Sequence, residues 1–177
     1  SHIPRTNWQR KASRSALATS LETWDGIPYS ESFRAIVRKR IPSNTYRSLF
    51  VSLCPRGPIA TNICYFGGYA DETDTALLVG VLSGLLSDFF IRITDTTDVT
   101  EGVIGRLPAM RKESTFSAPV LHRVARLNCL TDDFADLWSS LHSEHWTEDD
   151  FADSARATRS IASPPTTWDM GVPVRTD

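Results

Sequence analysis

Apolar residues recur along this chain at two different spacings, and each spacing predicts a different kind of element. In "SFRAIVRKRI", residues 32–41, Phe33, Ala35 and Val37 alternate, imperfectly, with Arg34, Ile36 and Arg38, and strand formers are frequent. That pattern predicts a strand with one arginine-studded face. "YRSLFVSLC" and "ATNICYFGG" predict two more, divided by the Pro-Arg-Gly-Pro turn at 55–58 and closed by Gly67-Gly68. Three short strands in succession imply an antiparallel meander. The spacing then changes. In "DETDTALLVGVLSGLLSDFFIRI", Leu77, Leu78, Val81, Leu82, Leu85, Leu86 and Phe89 recur at steps of three and four, the mark of one core helix laid against a sheet. Acidic residues and Thr at its start suit an N-cap and the positive end of the helix dipole. Gly80, Ser83, Gly84 and Ser87 line the rest of it and imply a close approach by backbone or side chain.

A polar, Thr-rich hinge, "ITDTTDVT", follows the apolar run and leads into "TEGVIGRLPAM", where Thr100-Glu101 can cap a short helical turn and Leu107-Pro108 ends it. "PVLHRVARLNCL" and "DDFADLWSSLHSEHW" read as two further amphipathic helices, with Thr131 as the N-cap between them. Arg123 and Arg126 fall on a polar face of the first, with His122 at its edge. Outside these elements the periodicity fails. Residues 1–31 read as an extended lead-in containing the turn dipeptides Asp25-Gly26 and Ile27-Pro28, and residues 147–177 as a polar, Pro-rich extended tail. One α+β domain over 32–146 is the organisation this predicts: an antiparallel sheet packed on a central apolar helix, 77–90, with helices C-terminal to it.

The apolar run is broken by Ser83, Gly84, Ser87 and Asp88, short of the roughly 20 uninterrupted apolar residues a membrane span needs, so no membrane partner is expected. No basic-then-apolar leader opens the chain, and its start at Ser-His reads as that of an excised fragment. Cys54, Cys64 and Cys129 are odd in number and match no zinc spacing; small buried thiols in a reducing cytoplasm explain them.

Charge alters the picture more. Residues 1–60 hold ten Lys/Arg against three Asp/Glu, a net +7, whereas residues 61–177 hold nine against eighteen, a net −9, and together they give the chain's −2. Such a split hints at a half that binds a polyanion, although a basic face on a solvated domain is commoner. The arginines at 34, 38, 40, 47 and 56 can contact phosphates or pair bidentately with guanine, although composition alone slightly favours a solvent-facing sheet side with salt bridges. Short hydroxyls and carboxylates on the hinge serve phosphate contact or base-edge readout, although a plain loop of turn formers explains them as well.

Catalytic motifs are absent: there is no GxGxxG, GxxxxGK[ST], HExxH, GxSxG or Asn-Pro-Pro-aromatic tetrapeptide. His142 and His145 with Glu144 imitate a metal cluster but read better as a solvated helix end. Glu148, Asp149, Asp150 and Asp153 read as an ordinary acidic helix start rather than a divalent-ion site.

Four groups of residues, in order, carry a resemblance that spans nearly the whole chain. These are Pro4-Arg5-Thr6-Asn7-Trp8; Phe33-Arg34 with Arg38-Lys39-Arg40; Pro42 to Arg47 leading to Pro55-Arg56-Gly57; and Leu77 to Phe90 with Thr97-Asp98-Val99-Thr100, Arg106-Leu107-Pro108, "RLNCLTDDFADLW" and "VPVRTD". Together they resemble the C-terminal region of large bacterial N6-adenine DNA methyltransferases, including fused restriction-modification and phage-defence enzymes. Departures are Asp98, where that family often has His, and Gly102 and Gly105, where it has aromatics or long polar residues. The resemblance implies a target-recognition domain that binds double-stranded DNA beside a methyltransferase catalytic domain of the same protein. That other domain would hold S-adenosylmethionine; no cofactor is expected in this segment. On this reading Arg34, Arg38, Lys39, Arg40 and Arg47 grip the DNA backbone, and Thr96, Thr97, Asp98 and Thr100 approach base edges. The alternative is an interaction module whose acidic half docks another domain or subunit.

Overall fold

The computed structural model describes residues 13, 15–16, 21–41, 45–59, 62–94, 96–148 and 166–169. The Pro4 to Trp8 lead, Pro42 to Asn44, the carboxylates Asp149, Asp150 and Asp153, and "VPVRTD" lie outside them. A two-stranded ribbon comes first, β1 (Thr23–Trp24) against β2 (Ile27–Pro28). Its tight turn uses Asp25 and Gly26, both at positive φ (51° and 81°), as the Asp-Gly dipeptide allows.

The main sheet contains β3 (Arg34–Arg38), β4 (Val51–Cys54) and β5 (Cys64–Gly67), giving an antiparallel α+β domain. Its order is β4-β3-β5, with β3 antiparallel to both neighbours, so the expected meander does not form. Phe33, Ala35 and Val37 face the core, which suits β3 to the centre of the sheet; on its opposite face Arg34 is covered while Arg38 is exposed. Gly57, at φ 103°, turns the chain just after β4, over the Arg34 end of β3.

The apolar run forms two helices rather than one: α1 (Glu72–Leu82) and α2 (Leu85–Ile93), bent by 59°. Asp71 caps α1, its side chain accepting from Thr73 N at 2.8 Å and Asp74 N at 3.2 Å. The break lies at Ser83-Gly84, where Gly84 is extended (ψ 155°). Polar groups satisfy the interrupted ladder: Ser87 Oγ donates to Val81 O at 2.8 Å and Arg47 Nη2 to Ser83 O at 2.7 Å. The bend turns α2 away from the core line. Leu77 and Leu82 are buried, whereas Leu85, Leu86 and Phe89, which the three-and-four spacing also assigned to the core, are exposed. Among the described residues no single helix is long and apolar enough to cross a membrane.

After the hinge come α3 (Glu101–Ile104), α4 (Ser117–Asn128) and α5 (Ala135–Leu141), the last followed by a 3-10 turn at Glu144–Glu148. Thr131 takes the predicted N-cap position, but its hydroxyl is 3.1 Å from Asp133 Oδ2 and caps no backbone N–H. α4 crosses α1 at Gly80, where an added Cβ would collide with the side chains of Val120 and Val124; this is the close approach the small residue implied. One apolar cluster gathers Phe33, Leu53, Leu77, Leu137, Trp138 and Trp146 between sheet and helices. A second joins Val37, Leu49, Leu82, Ile91, Val99 and Leu107, and so clamps the hinge beneath the end of β3. His122 and Arg126 depart from the expected polar face: both are buried, His122 stacked at 4.8 Å on Trp146, and burial lowers the Arg126 pKa. The residues flanking 32–146 touch the domain too, since Tyr29 lies 5.7 Å from the Phe66 ring and Trp168 Nε1 donates to Cys129 O at 2.8 Å.

Candidate nucleic-acid interface

β3 ends in three consecutive cations, Arg38, Lys39 and Arg40, and the strand does not stop where the sheet does. Ile41 N donates to Thr97 O at 3.0 Å and Val99 N to Lys39 O at 2.7 Å, so the hinge pairs with the strand's continuation through an antiparallel Arg40–Asp98 bridge. Two segments far apart in sequence, one basic and one Thr-rich, thereby share an edge. Val99, fully buried, anchors that edge from below. Thr96 Oγ1 donates to Asp98 O at 2.8 Å and stiffens the loop. Thr100 caps α3, its hydroxyl accepting from Val103 N at 3.3 Å.

The cations at this edge are held in different ways. Arg38 is exposed, with its guanidinium 5.7 Å above the Phe50 ring, and Lys39 places its ammonium 4.2 Å above Tyr65. Arg40 is 81% exposed and its Nε stands 3.5 Å from Asp98 Oδ1. An exposed pair of that kind contributes about 0–1 kcal/mol and exchanges readily for another anion. Asp98 therefore braces the loop against Arg40. Beside Arg38, a groove of about 500 Å³ opens over Ile36, Leu49, Phe50, Cys64 and Ser83.

Arg34 belongs elsewhere. With no exposed surface, its Nε donates to Ser32 O at 3.0 Å and its Nη2 to Pro55 O and Pro58 O at 2.9 Å each, while its guanidinium lies between Tyr29 (5.2 Å) and Phe66 (4.6 Å). Burial lowers its pKa, partly offset by the nearby Cys54 and Tyr29. This guanidinium clips the Pro-Arg-Gly-Pro turn to the sheet and has no open side for a phosphate, so Arg34 is not available for the backbone contact expected of it. Arg47 is likewise engaged, 3.3 Å from Asp88 and donating to the C-terminus of α1. Asp88 also accepts from Ser48 N (2.6 Å) and Leu49 N (2.8 Å). Burial alone would raise its pKa, but the two backbone N–H groups and Arg47 outweigh that and hold it below the usual carboxylate value. Arg56 is paired with Glu72 at 2.8 Å and Asp136 at 3.1 Å.

Sequence reasoning missed the aromatic supports Phe50 and Tyr65. The signal was the strand pairing itself, because Arg38 N donates to Phe50 O at 3.1 Å and Val37 is opposite Tyr65, which sets both rings beside the basic end of β3. Among the described residues no three His, Cys, Asp or Glu side chains come together as a metal site. Cys54, Cys64 and Cys129 are free thiols, and burial pushes Cys129 up to about 12. No family model, curated protein or solved structure matches the chain.

Proposed function

We propose that the chain is a sequence-specific DNA-recognition domain, part of an adenine-specific DNA methyltransferase or methyltransferase-nuclease of a restriction-modification or phage-defence system. The observation that supports this reading is the shared edge: Arg38, Lys39 and Arg40 lie alongside Thr97 and Asp98, held by two backbone hydrogen bonds. Arg38, Lys39 and Arg40 grip duplex phosphates, and the hinge, stiffened by Thr96 and capped at Thr100, presents Thr97 and Asp98 to base edges. Arg40 exchanges Asp98 for phosphate on binding, which frees the carboxylate to accept from a cytosine amine. Adenine flipping and S-adenosylmethionine belong to a catalytic domain of the same protein, and no residue described here is assigned to either. A DNA partner of this kind places the protein in the bacterial cytoplasm.

The test is duplex titration at two or more salt concentrations. Arg38→Ala with Arg40→Ala should weaken binding to every sequence alike and flatten the slope of log K against log salt by roughly 2, about 0.9 per phosphate contact. A slope that does not change would overturn the assignment. A second reading, an interaction module docking another domain or subunit, is favoured by one observation, the apolar outer face of α2. Failure of the wild-type chain to bind mixed duplex DNA at low salt would select it.

A further inference from the structure

The outer face of the main sheet carries the same combination at both ends, an arginine on an aromatic ring. Strand pairing sets Arg34, Ile36 and Arg38 of β3 on this face, with Ser52 opposite Ile36 on one side, Phe66 opposite it on the other, and Cys64 opposite Arg38. At the Arg34 end the guanidinium lies between two rings, 4.6 Å from Phe66 and 5.2 Å from Tyr29. At the Arg38 end it has one ring, Phe50 at 5.7 Å, and the side chain is exposed; among the described residues no second ring comes over it. The place that Tyr29 fills at one end is open at the other.

Size and charge narrow what can take that place. The groove of about 500 Å³ beside Arg38 falls within the roughly 300–1,000 Å³ of small-ligand sites, and a duplex keeps its base faces hidden in the stack. Its lining includes Ile36, Phe50 and Cys64 as apolar surface, Ser52 and Ser83 as neutral polar residues, and the two arginines Arg38 and Arg47, with no carboxylate. Arg47 is held 3.3 Å from Asp88, so Arg38 supplies the open positive charge. An acidic peptide brings an anion without a ring, and an aromatic peptide side chain brings a ring without an anion. A nucleotide brings both: a guanidinium plane takes an unstacked base on its face, while its edge N–H groups reach the adjoining phosphate. The groove also continues the shared edge. Arg38 precedes Lys39 and Arg40, so a strand whose phosphates lie along those cations passes the mouth of the groove.

We infer that the groove beside Arg38 and Phe50 takes one unpaired base of a DNA strand, stacked on the Arg38 guanidinium as Tyr29 is on that of Arg34. The inference rests on the DNA-binding reading and adds to it a site for a base outside the duplex stack. Fluorescence anisotropy with the 177-residue chain tests it, comparing a fully paired duplex with the same duplex carrying a single-adenine bulge. The bulged duplex should bind about tenfold more tightly, within what stacking one base supplies. Arg38→Lys keeps the charge and removes the plane, and should bring the ratio of the two affinities to about one. Phe50→Tyr keeps the ring and should preserve the ratio. Both side chains are exposed, so both variants should keep the wild-type circular dichroism spectrum. Equal binding of the two duplexes by the wild-type chain overturns the inference and leaves the DNA-binding reading standing, as does a preference that survives Arg38→Lys. Binding of neither duplex overturns both. Deoxyadenosine monophosphate that competes as well as the bulged duplex overturns the inference in favour of a free nucleotide.

Discussion

Arg34 and Arg38 leave the same face of β3, at its two ends, with identical side chains. Arg34 ends beneath Tyr29 and Phe66 and donates to three carbonyls, whereas Arg38 projects over Phe50 into solvent. The difference is made by what crosses the sheet at each end. The Pro-Arg-Gly-Pro turn and the Tyr29 segment cover one end, and at the other the neighbouring segments, the hinge among them, pair edge-on with the strand and leave Arg38 exposed. A cation's availability to an anion is therefore set by its cover and not by its strand position. Arg47 makes the same point, since its partner Asp88 is itself locked by two backbone N–H groups.

Removing the covered cation should have the largest effect. Arg34→Ala strands the carbonyls of Ser32, Pro55 and Pro58 and opens a cavity, with an expected loss of about 3 kcal/mol in urea-unfolding stability; a loss under about 1 kcal/mol would erase the contrast with Arg38. Asp88→Ala should follow at about 2 kcal/mol, since it leaves two buried N–H groups and Arg47 without their acceptor. Its pH signature sharpens the point. The folded Asp88 pKa is depressed, so its contribution is complete above about pH 4, the ordinary unfolded value, and is lost as pH falls through the folded pKa. The wild-type stability curve should therefore fall more steeply in acid than that of Asp88→Ala, measured by denaturant titration from neutral to acid pH. Phe50→Ala, which removes the platform under Arg38, should cost about 0.5–1 kcal/mol and weaken duplex affinity without altering the salt slope, since the charge remains. Smallest of all, Arg38→Ala should change stability by less than about 0.5 kcal/mol, its effect appearing only in DNA titration.

Much of the architecture was legible in residue patterns. The alternation in "FRAIV" marked β3, and the acidic start at Asp71 marked the cap of α1. Gly80 marked the contact with α4, and Thr100 marked the cap of α3. These features are local: a side chain two to four residues from the group it satisfies leaves its trace in the spacing. The three-and-four spacing of leucines misled at Ser83-Gly84, because a helix that bends keeps its periodicity while changing the direction its faces point. The meander failed for a related reason, since strand order is set by pairing between segments distant in sequence, which the spacing within one strand does not record.

Taken alone, the sequence determined the strands of the main sheet, the caps of α1 and α3, and that a basic segment and a Thr-rich segment both exist. Tertiary structure decided that those two segments share one edge, that Arg34 and Arg47 are spent on turns and helix ends, and that half of the leucine-rich run faces outward. Spacing encodes short-range hydrogen bonding and the phase of a single element. Which element covers which is settled only when distant segments compete for the same core, and burial there decides whether an arginine clips a turn or stays open to a phosphate.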